Sequence, residues 1–226
     1  MKKTILVLAA LVAGVSASAQ EAVKNNNLAV TLDVSYVSDY VFRGHQLADA
    51  SIQPSVEAAY GDFYAGIWYS DAISQSSTGS EADFYAGYNL KLNETFSADL
   101  GVTRYTYNGG GQGDTTEVFA GVKANVLLTP SVYYYYDFDQ EISSYIGTIG
   151  HSIAVAKLGI SLDLSATYGY IQIPSSDYSY WGAGVAVPYK LSETAKLTGA
   201  INYTHADDSS SEQDQVVFSV GLSVGF

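Results

Sequence analysis

The sequence predicts an all-β protein, a transmembrane antiparallel up-and-down β-barrel of about twelve strands. Three observations support this fold class. Apolar and small polar residues alternate in run after run, the N-terminus has the features of an export signal, and aromatic residues gather at both ends of the alternating runs. Together these features are typical of a barrel that crosses a bacterial outer membrane.

The N-terminal segment has the parts of a cleaved signal peptide. Two lysines precede an apolar core over residues 5–15, and the Ala-Ser-Ala triplet at 17–19 is a small-residue cleavage site. The apolar core is too short for a transmembrane helix, which needs about 20 residues. We therefore expect a cleaved signal over 1–19, a short periplasmic tail over 20–27 and an outer-membrane barrel domain over 28–226.

Residues 216–226 show the alternation most clearly, because every even-numbered residue is Val, Phe or Leu and most residues between them are Ser or Gly. The length matches the roughly 9–11 residues that a tilted strand needs to cross a bilayer. A lone strand would leave unpaired N–H and C=O groups in lipid, so the rest of the chain must close a barrel. The predicted strands are 28–43, 52–60, 63–70, 81–90, 96–107, 117–127, 131–139, 147–156, 157–170, 180–191, 195–205 and 215–226.

The predicted connections alternate in length. The short ones are 61–62, 93–95, 129–130, 156–157 and 192–194, and the longer polar ones are 44–51, 71–80, 108–114, 140–144, 173–179 and 206–214. Short periplasmic turns with longer outer loops are the outer-membrane arrangement, which places both termini on the periplasmic side. We expect Phe226 to lie in the periplasmic aromatic girdle. By resemblance to outer-membrane proteins generally, it is also the expected signal for the barrel-assembly machinery.

A soluble barrel would alternate in the same way, with its apolar side inward. Charged residues make up only 15% of this chain, against about 25% in ordinary soluble domains, and aromatic residues mark both ends of the apolar faces. Those near the longer loops are Tyr40, Phe42, Phe84, Tyr136, Phe138, Tyr168, Tyr170 and Trp181, and those near the short turns are Tyr60, Phe63, Phe96, Tyr189 and Phe226. Two aromatic belts match the two interfaces of a bilayer and favour the membrane barrel.

Arg104 is the exception on the predicted lipid face. An Arg at the bilayer midplane costs about 2–4 kcal/mol. Snorkelling towards the outer end would relieve this cost, but we expect instead a β-bulge that turns Tyr105 outward.

One stretch resembles a known family. Residues 38–44 read SDYVFRG, 63–68 read FYAGIW and 83–88 read DFYAGY, and Pro54 lies in the second predicted strand. These motifs resemble the TorF-type putative porins, the Gcw_chp family of outer-membrane proteins. The resemblance implies a pore-like outer-membrane barrel and no named substrate.

The charged residues on the predicted inner face are the candidates for lining a pore. They are Asp33, Asp39, Arg43, Glu81, Asp83, Asp99, Glu117, Lys123 and Asp137. Opposed charges in a wet lumen bias which ions pass, and we expect Arg43 to hold Asp39 and Glu81 in an eyelet because a guanidinium can bind two carboxylates. The alternative is that these groups bond to one another and make the lumen rigid.

The expected function is passive diffusion of small solutes through a narrow, cation-favouring channel, with outer-membrane lipid and lipopolysaccharide around it. Inward aromatic residues would narrow the lumen, either as simple filling or as a grip on ring-bearing solutes. The alternative is a non-conducting structural or surface-interaction barrel. The net charge of −13 argues against nucleic-acid binding.

No enzyme, cofactor or metal site is expected. His151 and Ser152 are adjacent, so they point to opposite faces of a strand. Residues 137–141 resemble the opening of a calcium loop, but Ile142 replaces the required Gly. The chain has no Cys to act as a nucleophile or a thiolate ligand.

Overall fold

The computed structural model describes residues 28–74, 76–155, 157, 159–207 and 213–226. The predicted signal peptide and periplasmic tail lie outside these residues. The described strands are β1 (Leu28–Phe42), β2 (His45–Tyr60), β3 (Phe63–Ala72), β4 (Ser80–Lys91), β5 (Phe96–Asn108), β6 (Thr115–Ala124), β7 (Ser131–Asp137), β8 (Ile142–Val155), β9 (Ile160–Ile173), β10 (Ser176–Lys190), β11 (Ala195–Asp207) and β12 (Gln213–Gly225).

The twelve strands form one closed antiparallel barrel in which each strand pairs with its neighbours in sequence and β1 pairs with β12. The predicted fold class is therefore confirmed. The seam between the first and last strands extends to the C-terminus, where the Phe226 backbone N–H donates to the Val30 carbonyl at 2.9 Å. No described helix is long and apolar enough to span a membrane.

The outward face of the barrel is apolar, as the alternation predicts. On β12, Val216, Phe218 and Val220 are exposed, whereas Ser219 and Gly221 between them are half-buried. Exposed aromatic side chains also lie at both ends of the barrel. At the end that holds the termini they are Tyr60, Phe63, Phe96, Tyr189 and Phe226, and at the opposite end they are Phe84, Phe138, Tyr168, Tyr170 and Trp181. This surface suits lipid rather than water.

The prediction that Tyr40 and Phe42 belong to the outer aromatic belt is wrong. Tyr40 is only 3% exposed and Phe42 only 1%. The reason is that β1 leaves the barrel wall before it reaches them. Its pairing with β12 ends at Val37, opposite Ser219.

Residues 38–50 form what we call the tip hairpin. It contains the last part of β1 and the first part of β2, which pair with each other up to Phe42 and His45. The pairing of β2 with β3 begins only at Ser51, opposite Ala72. The predicted outer loop 44–51 is therefore wrong, because these residues form the second arm of the hairpin. The predicted loop 173–179 is also wrong, since β9 and β10 leave only residues 174–175 between them.

A two-residue turn closes the tip hairpin. Arg43 has φ 42° and Gly44 has φ 92°, and positive φ at both central residues is the type I′ geometry that suits the twist of a hairpin. A register shift next to Tyr40 bends the hairpin further.

The tip hairpin crosses the lumen and packs against the opposite wall. Its buried apolar side chains Tyr40, Phe42 and Leu47 join one cluster with residues of four strands, β8 to β11. Those residues are Ile142, Ile171, Tyr178, Tyr180 and Ala206. The loop between β3 and β4 lies against the hairpin, where the Ser77 backbone N–H donates to the Leu47 carbonyl at 2.9 Å. The hairpin therefore fills one end of the barrel.

The predicted bulge at Arg104 is wrong. The pairing of β4 with β5 is regular through Phe84 and Arg104, and Tyr105 points inward with 3% exposure. Arg104 instead stays on the outer surface. Its guanidinium donates to Thr116 Oγ1 at 2.8 Å and pairs with Asp114 at 3.4 Å. These bonds replace the water that the charge would lose.

Gly44 offers a test of how tightly the tip hairpin is seated. A Cβ added at Gly44 would lie 2.8 Å from the Cβ atoms of both Ala206 and Tyr180. We expect Gly44→Ala to lower the free energy of unfolding by about 2–4 kcal/mol, from the left-handed backbone and the overpacking together. Urea unfolding of the refolded barrel in lipid vesicles measures this loss.

The matched control is Gly111→Ala. Gly111 has a similar φ of 76°, but an added Cβ would have no heavy atom within 4 Å. Only the backbone strain of about 1–2 kcal/mol is expected there. Equal losses at the two positions would show that Gly44 is not packed against the opposite wall.

Candidate functional site in the barrel lumen

The exposure of inward side chains divides the lumen into two halves. We call the end that holds the β1–β2 turn the tip end, and the end that holds Leu28 and Phe226 the terminal end. Buried inward residues of the tip half are Glu81, Asp83, Thr103, Tyr105, Thr115, Glu117, Asp137, Ser144, Ile171 and Tyr180. Half-buried or exposed inward residues of the terminal half are Asp33, Ser35, Glu57, Tyr64, Asp99, Lys123, Tyr133, Ser152, Asp163, Ser165 and Asn202. The lumen is thus packed at the tip end and open to solvent at the terminal end.

An ion pair between Arg43 and Glu117 lies at the centre of the packed half. Arg43 Nη1 donates to Glu117 Oε2 and Nη2 donates to Oε1, each at 3.0 Å. Arg43 Nη1 also donates to Ser144 Oγ at 2.6 Å, and Tyr105 Oη donates to Glu117 Oε1 at 2.9 Å. The two charged side chains are 2% and 4% exposed. Such a buried pair needs good geometry and further hydrogen bonds to offset desolvation. It has both at the two terminal nitrogens, whereas Arg43 Nε is buried without a hydrogen-bond partner among the described residues.

Two aromatic rings lie close to the guanidinium of Arg43. Its central carbon lies 4.5 Å from the centre of the Tyr135 ring and 5.0 Å from that of Phe42. The Tyr178 hydroxyl also donates to the backbone carbonyl of Arg43 at 3.3 Å. The turn of the tip hairpin is therefore fixed by charge, hydrogen bonds and rings that come from β6, β7, β8 and β10.

Two further acids lie under the tip hairpin. Glu81 and Asp83 project from β4 and are 1% and 2% exposed. Tyr40 Oη, which belongs to the hairpin, donates to Glu81 Oε2 at 3.0 Å. Glu81 Oε1 and Asp83 Oδ1 are buried without a hydrogen-bond partner among the described residues.

Asp137 has a structural role at the end of β7. Its Oδ1 accepts from Thr115 Oγ1 at 2.5 Å and from the backbone N–H groups of Asp139 and Gln140 at 2.9 and 2.8 Å. These bonds close the β7–β8 turn. The described residues contain no group of three or more His, Cys, Asp or Glu side chains placed to hold a metal ion.

In the terminal half, tyrosine hydroxyls hold the carboxylates. Tyr64 and Tyr133 donate to the two oxygens of Asp99 at 2.9 and 3.1 Å, and Tyr85 donates to Glu57 at 3.1 Å. The rings lie over inward glycines of the neighbouring strand, where an added Cβ would approach within 2.3–2.4 Å of the ring or hydroxyl atoms of Tyr64, Tyr85, Phe119 and Tyr133. One side of the open lumen is thus lined by aromatic rings, and several of their hydroxyl groups donate hydrogen bonds to the carboxylates of Asp99 and Glu57. We call this side the aromatic wall.

The nine predicted pore-lining residues are distributed over three places. Arg43, Glu81, Asp83, Glu117 and Asp137 lie in the packed tip half, and Asp33, Asp99 and Lys123 lie in the open terminal half. Asp39 lies on the face of the tip hairpin opposite to Tyr40, where Gln46 donates to it at 2.9 Å. Their contribution to a pore stays a prediction.

The expected eyelet of Arg43 with Asp39 and Glu81 is wrong. Because the tip hairpin crosses the lumen, the guanidinium reaches Glu117 on β6, while Asp39 turns to Gln46 and Glu81 binds Tyr40. Sequence reasoning also missed Ser144, since it placed residues 140–144 in a loop. Residues 142–146 read Ile-Ser-Ser-Tyr-Ile, which shows no regular alternation of apolar and polar residues, so the sequence offered no clear signal for this strand.

A family model described as Gcw_chp, a bacterial protein of unknown function, matches residues 21–226. The chain belongs to the Gcw_chp family. This confirms the resemblance seen in the SDYVFRG motif, while the TorF-type name stays a prediction. None of the curated proteins matches the sequence.

Several solved structures share the fold at low identity. The KdgM porin is 14% identical with a TM-score of 0.63, covering 87% of this chain and 99% of that one. The NanC porin is 12% identical with a TM-score of 0.58, covering 85% and 98%. An outer membrane channel from Pseudomonas putida F1 is 12% identical with a TM-score of 0.56, covering 88% and 95%. The porin fold and the apolar outward surface place this chain in the outer membrane.

The Arg43–Glu117 pair gives the second test. We expect Arg43→Met to lower the free energy of unfolding by about 3–5 kcal/mol, because it leaves the Glu117 carboxylate buried without a counter-charge. The double variant Arg43→Met/Glu117→Leu removes both charges and should recover part of this loss. Urea unfolding in vesicles measures both effects.

Arg104→Met is the control for loss of an arginine. Its guanidinium is 44% exposed and pairs with Asp114 at 3.4 Å on the outer surface, so a change within about 1 kcal/mol is expected. A loss at Arg43 no larger than at Arg104 would mean that the ion pair does not hold the tip hairpin.

Proposed function

We propose that the protein is a gated outer-membrane channel for small solutes, with the tip hairpin as its gate. The observation that carries the proposal is the division of one continuous barrel into a packed tip half and a solvent-accessible terminal half. By the usual topology of outer-membrane barrels, the terminal end faces the periplasm and the tip hairpin faces the exterior.

The fold supports a conduit. A barrel of twelve strands lies between the filled barrel of 8 strands and the open porins of 16, so its lumen has room for a narrow path once the hairpin moves. The similar structures are porins and a channel, and one shows the KdgM porin in complex with disordered oligogalacturonate.

The lumen charge favours cations. The inward acids are Asp33, Glu57, Glu81, Asp83, Asp99, Glu117, Asp137 and Asp163, and the inward bases away from the turns are Arg43, Lys123 and Lys196. Two further lysines, Lys91 and Lys190, pair with Glu94 and Glu193 in the terminal-end turns at 2.8 and 2.7 Å. The excess of carboxylates lowers the energy of a cation in the lumen and raises that of an anion.

The gate opens when the tip hairpin leaves the opposite wall. Its hinges are the places where β1 stops pairing with β12 and β2 stops pairing with β3, near Val37 and Ser51. Opening must break the buried Arg43–Glu117 pair and expose the apolar cluster of Tyr40 and Phe42 to water, and loss of this apolar burial costs free energy. The closed form therefore predominates, and conduction takes place in rare openings.

Two further assignments are part of this proposal. Phe226 is 74% exposed at the terminal end, where the barrel-assembly machinery could read it as the assembly signal. The aromatic belts and the apolar surface between them contact outer-membrane lipid, with lipopolysaccharide at the tip end.

The second candidate function is a non-conducting barrel that acts through its outer surface. The close packing of the tip hairpin favours it, because Phe42, Ile171 and Ser144 are almost completely buried. A barrel of this kind would keep its lumen closed under all conditions.

Planar-bilayer recording of refolded protein separates these functions. In the informative variant, residues 39–49 are replaced by Asn-Gly. This two-residue turn connects Ser38 to Ala50 in place of the tip hairpin. We expect brief, rare openings in the wild type and a continuous, larger conductance with a cation-selective reversal potential in the variant. Arg104→Gln, on the outer surface, should record like the wild type.

Other results of the recording would contradict particular parts of the proposal. If neither protein conducts, the channel is wrong and the non-conducting barrel stands. If the wild type conducts as freely as the shortened variant, the hairpin is not a gate. An anion-selective reversal potential would contradict the argument from lumen charge.

A further inference from the structure

Closure of the tip hairpin does not explain why two acidic side chains, Glu81 and Asp83, are buried beneath it. They lie two residues apart on the inner face of β4, opposite Tyr107 and Tyr105 of β5. Both side chains are almost fully buried beneath the tip hairpin, and as residues i and i+2 of one strand they project from the same face of β4. They form a pair of acids in an enclosed space.

No base balances this pair among the described residues. The one buried guanidinium nearby, that of Arg43, already binds Glu117 through both terminal nitrogens. Glu81 Oε1 and Asp83 Oδ1 have no hydrogen-bond donor within the described part of the chain. Burying carboxylates without a partner costs several kcal/mol for each charge, so the pair must be neutralised, either by a shared proton or by a bound cation.

We propose that Glu81 and Asp83 bind one divalent cation beneath the closed tip hairpin. Two carboxylates balance a charge of 2+, and carboxylate oxygens and water are ligands that hard cations such as Ca²⁺ and Mg²⁺ prefer. Tyr40 Oη, already 3.0 Å from Glu81 Oε2, adds a hydroxyl beside the site. Water fills the remaining positions, as it does at many magnesium sites.

The position of Tyr40 links this site to the gate. Tyr40 belongs to the tip hairpin, whereas Glu81 and Asp83 belong to the wall. A cation between them holds the hairpin down and relieves the repulsion of the two acids. Its removal therefore loosens the closed form. Cation binding stands independently of conduction, but the effect of the cation on conductance rests on the proposed function.

Trp68 provides a reporter for this site. Its ring centre lies 5.4 Å from that of Tyr40, and Trp68 pairs with Asp83 across β3 and β4. The chain has 2 tryptophans, so Trp181→Phe on the outer belt leaves Trp68 as the single tryptophan. The experiment titrates this protein, refolded in detergent without lipopolysaccharide, with CaCl₂ or MgCl₂. Samples with KCl at matched ionic strength correct for screening.

The expected result is a saturable change in Trp68 emission and a rise in melting temperature of about 5 °C when the metal is at about 100 times its Kd. Glu81→Gln/Asp83→Asn should abolish both effects. Tyr40→Phe, which keeps the ring, should weaken them. Asp33→Asn/Asp99→Asn removes two charges from the open half of the lumen and should leave both effects unchanged.

Three outcomes would overturn the proposal. The first is the absence of any metal effect in the parent protein. The second is a metal effect that persists in Glu81→Gln/Asp83→Asn, since the ion would then bind elsewhere. The third is a stability that depends on Glu81, Asp83 and pH but not on metal, because the pair would then share a proton. Metal binding by a barrel that never conducts would contradict the proposed function alone.

Discussion

The buried ion pair between Arg43 and Glu117 is the interaction on which the architecture of the lumen depends. It joins residues 74 positions apart in sequence, and it brings the turn of the tip hairpin to the far wall of the barrel. Without it, burial of an arginine at the hairpin tip would be strongly unfavourable. Because the pair is satisfied by Ser144 and Tyr105, the apolar residues beside it can pack and exclude water.

The proposed function rests on the contrast between the two halves of the lumen. At the tip end, the Arg43–Glu117 pair is neutralised and hydrogen-bonded, and the apolar cluster beside it excludes water, which favours a closed and rigid structure. At the terminal end, Asp33, Asp99 and Lys123 remain accessible in a lumen that has an aromatic wall on one side. A barrel built only for rigidity has no need of the second half. In the proposed channel, a movable tip hairpin would give both halves a role, one as a gate and the other as a vestibule.

Sequence periodicity gave the barrel, the number of strands and the lipid face, because alternation with period 2 is a local property. It failed at Tyr40 and Phe42, which have the same parity as Leu32 and Val34 but lie beyond the point where β1 leaves the wall. Alternation tells which residues share a face of a strand, and does not tell where the strand ceases to belong to the barrel. The pairing of Arg43 with Glu117 was equally hidden, since a contact between distant strands leaves no local pattern.

The most direct test of the closed and open halves uses two positions on the inner face of β8. The natural chain has no Cys, so Ser144→Cys, fully buried beside Arg43, and Ser152→Cys, exposed in the terminal half, each introduce a single thiol. In the folded barrel, a water-soluble maleimide should label Ser152→Cys rapidly and Ser144→Cys far more slowly, through rare openings of the tip hairpin. Equal labelling of the two thiols in the folded protein would contradict a lumen closed at its tip end.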